Sequence, residues 1–422
     1  MLKTPKQTTA LHTTELDLEK DFSLHHHKIE HWFREQWMIN KSPFYGSVDL
    51  RNSSYKLTPI DMNLYPGGFN NIHNESILLA SQAINHLLEK YNPHTTKILL
   101  IPESHTRNYA YLKNVYTLNF ILNQAGLETV IGSLSPEIKE PTNINISDGF
   151  SMIYHPIKRI GNKITTVSGF EPNLILVNND LSSGKPDILD NLEQTLLPPL
   201  NTGWYMRKKT NFFTEYDKVC ANFANLIEID PWKINAYFDI ASNLDFANSS
   251  GLDPLGEKVE HILQKIQKKY DEYNIKDTPF VIVKANSGTY GMGIMSIKSA
   301  DEVRKINRKT RNKMAVIKEG QSVTDVIIQE GVYTVENIND MTAEPVIYMM
   351  GCSVIGGFYR ANARKGIDEN LNSIGSNFIP MSLACTCFPH SKKQEKLPDR
   401  FYAYSVTARL ALLASSMEIK NY

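Results

Sequence analysis

PFVIVKANSGTYGMGIMSI, residues 279–297, is the stretch on which the fold turns. An apolar run from Phe280 to Val283 delivers Lys284. Gly288, Gly291 and Gly293 follow, and a second apolar run, Ile294 to Ile297, begins at once. Glycine lets successive backbone N–H groups approach an anion and form a concave phosphate site. A lysine at a strand end adds a point charge for phosphate. A G-x-x-x-x-G-K loop feeds a helix, and so does the dinucleotide fingerprint. Neither fits, because this loop joins two strands. A tight hairpin with glycines at positive φ is the competing reading.

The residues that follow weigh against a plain hairpin. Met314 to Ile317 reads as another short strand, and it delivers Lys318. Val326 to Gln329 then leads into Glu330 and Gly331. The order strand–Lys–glycine loop–strand, helix, strand–Lys, strand–Glu resembles the nucleotide site of ATP-grasp enzymes. That resemblance implies phosphate contacts from Lys284, Lys318 and the loop residues Ser287, Gly288, Thr289, Tyr290, Gly291 and Gly293. It also implies that main-chain groups around Gln329, Glu330 and Val332 read the adenine edge. Taken singly, Lys318 and Glu330 would be surface charges; their joint order argues otherwise.

A second stretch, RNSSYKLTPIDMNLYPGGFNNI (residues 51–72), carries the candidate metal ligands. In an extended segment residues i and i+2 share a side, so Asp61 and Asn63 project together as a hard oxygen pair suited to Mg²⁺. Pro66, Gly67 and Gly68 force a turn, and Asn70 and Asn71 follow. An Asx-rich turn leading into a loop is the alternative. ATP-grasp chains ordinarily carry an acid-x-Asn pair near their end, and none follows Phe378. The sequence looks similar to the permuted order of eukaryotic-type glutathione synthetases, with Asp61 in place of the usual glutamate.

Working outward, Lys97 to Pro102 reads as a buried strand, about Asn108 to Gln124 as a helix, and ETVIGSL after Gly126 as a second strand. That is a βαβ unit of a parallel sheet, to which Leu174–Val177 could add a strand. Helices are expected over Ile29–Ile39, Glu75–Tyr91 and Phe401–Met417, from apolar spacing. The middle, about Asp217 to Tyr270, reads as mostly helical, and residues 1–20 are polar and expected to fray. The fold expected is α/β, of α+β type: an ATP-grasp-like nucleotide site with an N-terminal parallel-sheet sub-domain. The expected divisions are a helical extension over 1–48, a metal- and substrate-binding α/β part over 49–215, a helical connection over 216–275 and the nucleotide part over 276–422.

The 422 residues carry 45 basic and 45 acidic side chains, so no global field attracts nucleic acid. Only local charge remains, which suits small charged metabolites. No apolar run approaches the ~20 residues needed to span a bilayer. The four cysteines, Cys220, Cys352, Cys385 and Cys387, are few for the length and are read as reduced thiols in a cytoplasm. Cys385, Cys387 and His390 lack the partners of a metal site. A homo-oligomer is possible.

Several strings in order resemble the proteobacterial glutamate–cysteine ligases related to ATP-grasp proteins. They are Asp61–Asn71 (DMNLYPGGFNN), Pro102–Asn108 (PESHTRN), Lys284–Gly293, Gly356–Arg360 and Asn370–Asn372. The resemblance implies γ-glutamylcysteine synthesis from glutamate and cysteine, with ATP and Mg²⁺, through an acyl phosphate. Positioning and charge neutralisation would carry the first step. Lys284, Arg360 and Asn372 are the expected catalytic groups. Arg51, Arg107 and Arg364 are candidate forks for substrate carboxylates, with Glu103 as an ammonium receptor and Asn108 beside it. His105 reads as structural and Glu344 as a solvated residue before Pro345. The alternatives are another ATP-grasp ligase such as a glutathione synthetase, or a non-catalytic nucleotide-binding protein. A kinase is disfavoured by the absence of HRD and DFG strings.

Overall fold

The computed structural model describes residues 17–104, 107–147, 149–288, 293–315, 322–381 and 400–422. The readings made above for His105, Thr289, Tyr290, Gly291, Lys318, Cys385, Cys387 and His390 therefore lie outside the described residues. Three sheets organise the rest of the chain.

The first sheet is mostly parallel. Lys97–Pro102 lies between Glu128–Ser133 and Leu174–Asn178, with Thr195–Leu197 beyond the latter and Phe150–Ile160 beyond the former. The helix between the first two strands is Tyr109–Gln124, and Asn108 caps it by accepting from the Tyr111 N–H at 3.2 Å. The continuous burial of Leu174–Asn178 reflects a strand covered on both faces, as the inner strands of a parallel sheet are. The helix Glu75–Tyr91 has the expected bounds.

The second sheet is antiparallel, in the order Asn377–Pro380, Ser353–Asn362, Met341–Met350, Tyr45–Asn52, Leu57–Asn63. It joins the start of the chain to its last third. Behind it runs the helix Arg400–Ile419, which packs on both N-terminal strands and on the helix Lys209–Ile227. This C-terminal helix is buried almost all round. Its two buried ions are paired: Arg400 with Glu19 at 2.7 Å, and Glu418 with Arg207 at 2.8 Å.

The third sheet is the glycine hairpin and its neighbours, in the order Phe238–Ala241, Val326–Glu330, Val281–Ala285, Ile294–Ile297, with the helix Leu252–Glu272 packed on it. The region read as mostly helical is so, in Lys209–Ile227 and Leu252–Glu272, with the edge strand Phe238–Ala241 between them. One expectation changes here. Met314 and Ala315 lie in the helix Arg308–Ala315 and not in a strand, and Val316 and Ile317, the rest of that expected strand, lie outside the described residues. A polar run, RKTRNK, with helix-favouring Arg and Lys at four of its six positions, precedes them, and Met314 is buried from the helix.

Candidate active site

The strand Leu57–Asn63 is the partition of the site. Its alternation sends Ile60 to one side and Asp61 and Asn63 to the other. On the Ile60 side is a narrow slot of about 70 Å³ lined by Phe280, Ile282, Lys284, Ile294, Gln329, Glu330 and Val332. Arg51 and residues Asp368, Glu369 and Asn370 close it. On the Asp61 side is a cleft of about 400 Å³. Ser47, Asp49, Asp61, Asn63, Val346, Tyr348, Phe358 and Arg360 supply its floor from one face of the antiparallel sheet. Glu103, Asn108, Tyr111, Asn178 and Asp180 supply the far wall, from the C-terminal ends of the parallel strands.

The turn Pro66–Asn71 fastens the two walls together. Asn178 Nδ2 donates to the Pro66 carbonyl at 2.9 Å, Asn114 Nδ2 donates to Asn178 Oδ1 at 3.1 Å, and the Phe69 N–H donates to Asn114 Oδ1 at 3.0 Å. Gly68 sits at φ 94°, and a Cβ there would lie 2.8 Å from the Tyr348 hydroxyl, so the position needs glycine on both counts. Tyr348 in turn donates its hydroxyl to the Gly67 carbonyl.

Charge is concentrated at the partition. Lys284, from the glycine-hairpin strand, donates to the Ile60 carbonyl at 2.7 Å. Burial pushes its ammonium down to about 8, against the pull of Asp61. Lys209 Nζ lies 3.0 Å from Asp61 Oδ1, and the Asp61 side chain keeps 40% of its exposure, toward the cleft. Surrounding protein would raise the Asp61 carboxyl, but Lys209, Lys284 and Arg207 together hold it at about 2. Behind the floor runs an alternating chain of buried charges. Arg360 Nη1 donates to Asp49 at 2.6 Å and to Glu344 Oε1 at 2.7 Å, and Arg51 Nε donates to Glu344 Oε2 at 2.7 Å. Burial, with Glu344 and Asp61 nearby, leaves Asp49 raised in spite of Arg360.

The structure thus brings Lys284, Gln329, Glu330 and Val332 to the slot, and Asp61, Asn63, Glu103, Asn108, Arg360 and Asn372 to the cleft. Ser287 and Gly288 follow Lys284 out of its strand, and Gly288 and Gly293 have φ of 87° and 61°. Other expected residues lie elsewhere. Arg51 is 5% exposed and spends its donors on Glu344 and on the carbonyls of Ile367 and Glu369, so it ties a loop down and does not reach the cleft. Arg107, just ahead of a helix, and Arg364, on a turn, are exposed and line neither compartment. Glu344 is buried at 1% and bridges two arginines, where solvation was expected. The Glu330 carboxylate accepts from Lys56 at 2.5 Å, Trp232 Nε1 at 3.0 Å and the Tyr237 N–H at 2.9 Å, and its own N–H donates to the Tyr237 carbonyl at 2.7 Å, so carboxylate and N–H are both engaged within the protein.

Sequence reading missed Asp49, Lys56 and Lys209. Asp49 had a signal, since it shares a strand face with Arg51 and stands opposite Asp61. Lys209 opens a helix and has no local pattern. Among the described residues no group of three or more His, Cys, Asp or Glu is placed to hold a metal. Magnesium ordinarily takes only one or two carboxylates and completes its shell with water and substrate phosphates. An ionised, cleft-facing Asp61 with Asn63 beside it fits that partial kind of site.

A family model described as glutamate-cysteine ligase matches residues 19–419. A crystal structure from Methylobacillus flagellatus KT, of a protein provisionally named gamma-glutamylcysteine synthetase, is 50% identical. The match covers 99% of this chain and 98% of that one, with a TM-score of 0.89. D-alanyl-alanine synthetase A from Vibrio cholerae O1 is 9% identical over 75% of this chain and 81% of its own, with a TM-score of 0.35. A glutathione synthetase-like effector from Globodera pallida is 10% identical over 85% and 81%, with a TM-score of 0.38. Among curated proteins none matches the chain. No helix among the described residues is long and apolar enough to cross a membrane.

Proposed function

The chain belongs to the glutamate–cysteine ligase family, and from that membership we propose how its two compartments divide the reaction. The activity is the ATP-dependent joining of the glutamate γ-carboxylate to the amine of cysteine, giving γ-glutamylcysteine. We assign the slot to the adenine ring, between the apolar side chains of Ile60, Phe280, Ile282, Ile294 and Val332. The cleft takes the two amino acids. The phosphates cross the partition where Lys284 and Asp61 meet, and this meeting is the single observation that carries the assignment.

In the first step a γ-carboxylate oxygen attacks the terminal phosphorus, the bond to the bridging oxygen breaks, and ADP departs. In the second the cysteine nitrogen attacks the acyl carbon, phosphate leaves with the C–O bonding pair, and the nitrogen gives up a proton. Lys284 neutralises charge on the transferring group, with Ser287 and Gly288 just beyond its strand. Asp61 and Asn63 would hold Mg²⁺, which supplies Lewis-acid neutralisation of the phosphates. Arg360, fixed by Asp49 and Glu344, places a guanidinium in the cleft floor for the reacting carboxylate. Glu103 and Asn108 at the far wall suit the ammonium end of a substrate, and Asn372 lies on the loop that spans both compartments. Cys220 and Cys352 are free thiols, in keeping with a cytoplasmic enzyme.

The test is phosphate release by purified protein. Release from Mg-ATP is expected with glutamate and cysteine together, and EDTA should abolish it. Release with γ-glutamylcysteine and glycine, but not with glutamate and cysteine, would make the chain a glutathione synthetase instead.

A further inference from the structure

The segment Arg207–Lys208–Lys209 touches the strand of Asp61, the start of the strand Val326–Glu330 and the base of the glycine loop. Arg207 Nη1 donates to the Met62 carbonyl at 2.8 Å, on the strand of Asp61. Lys208 Nζ lies 3.3 Å from Asp325, just ahead of the strand Val326–Glu330. The Lys209 N–H donates to the Asn286 carbonyl at 2.7 Å, and Asn286 Nδ2 donates to the Thr210 hydroxyl at 3.1 Å. Asn286 is where the glycine loop leaves its strand. The Lys209 side chain is 9% exposed, and its ammonium sits between Asp61 Oδ1, at 3.0 Å, and the Trp204 ring, at 4.2 Å from the centroid.

Resting on the reading of Asp61 as the metal carboxylate, we propose that Lys209 is a positioning residue that stands in for the divalent cation until nucleotide brings it. A cation 3.0 Å from the Asp61 oxygen occupies the place a metal would take on that carboxylate. A metal arriving alone would meet a buried like charge within a few ångströms, in surroundings that screen poorly. A metal arriving with ATP brings several negative charges, and the displaced ammonium then has phosphate oxygens to pair with. Lys209 therefore opposes metal binding in the empty enzyme and favours it in the ternary complex, which makes metal and nucleotide binding positively coupled. Its backbone bond to Asn286 ties the same exchange to the base of the glycine loop.

The test is binding, independent of turnover: Mn²⁺ titration by electron paramagnetic resonance, with and without a non-hydrolysable ATP analogue. Wild type should bind Mn²⁺ weakly without the analogue and much more tightly with it. Lys209→Met should bind Mn²⁺ roughly tenfold or more tighter without the analogue, the scale of one lost charge-assisted contact, and should lose most of the analogue's effect. Lys209→Arg, which keeps the charge, should restore the coupling, and Lys209→Gln serves if the methionine variant does not fold. A charge-removing variant with wild-type Mn²⁺ affinity in both states would overturn the proposal. Asp61→Asn separates the two layers: if it leaves Mn²⁺ binding intact in the ternary complex, the metal reading of Asp61 itself fails.

Discussion

Lys284 donates from Nζ to the carbonyl oxygen of Ile60 at 2.7 Å, joining the glycine-hairpin strand to the strand that carries Asp61. The two residues are 224 apart in sequence, so the bond closes the phosphate site across most of the chain. It also aims the ammonium at the partition between the slot and the cleft.

Lys284→Met should weaken ATP binding by about 1.5–3 kcal/mol, the value of a hydrogen bond to a charged group. Turnover should fall further, because charge on the transferring phosphoryl group changes most in the transition state. The fold should survive, since the residue lost is one strand-end side chain whose backbone pairing remains. Calorimetry with an ATP analogue checks this, and unchanged affinity would count against the site.

Glu344 holds two buried guanidiniums, Arg51 and Arg360, one on each carboxylate oxygen. Glu344→Ala leaves both short of a partner on their buried side. Breaking a buried pair from one side costs about 3–5 kcal/mol. Urea unfolding should show a loss on that scale, with Glu344→Gln intermediate. A loss below about 1 kcal/mol, the range of exposed pairs, would mean that Glu344 is not the tie described here.

The arginines separate by position. Arg360 lines the cleft, whereas Arg107 and Arg364 are exposed and line neither compartment. Arg360→Met should therefore cut kcat/KM by orders of magnitude. Arg107→Ala and Arg364→Ala should each stay within about twofold of wild type, as surface changes away from structure usually do. A large rise in the glutamate KM for either one would restore it as a carboxylate receptor.

What could be read ahead of the structure was whatever local pattern encodes. The strand before Lys284, the glycines after it and the two-residue spacing of Asp61 and Asn63 are all written within a few positions. So is the βαβ unit around the helix Tyr109–Gln124. The chain Asp49–Arg360–Glu344–Arg51 is not, because it depends on Tyr45–Asn52 pairing with a strand some three hundred residues later. Arginine at 51 looks the same in sequence whether it faces a substrate or a buried glutamate. The strand Phe238–Ala241 escaped for a similar reason: FDIA is too short to show a period between two long helices.

Lys56 offers a pH test away from the reacting groups. Its ammonium, buried at 2.5 Å from Glu330 and 4.0 Å above the Trp232 ring, backs the strand that lines the slot. Burial pushes its pKa down to about 8; Glu330 and Asp230 pull the other way, and Lys269 pushes it further down. An unfolded lysine titrates near 10.4. Between those values the unfolded chain binds the proton and the folded chain does not, so this group makes stability rise with pH. Below about pH 8 both states are protonated and its contribution is level. Lys56→Met removes that titration, so the margin of wild type over Lys56→Met should widen as pH rises from about 8 toward 10. Urea unfolding of both proteins at pH 7 and pH 10 measures it, and a margin that narrows would show that Lys56 is not held as a strained buried cation.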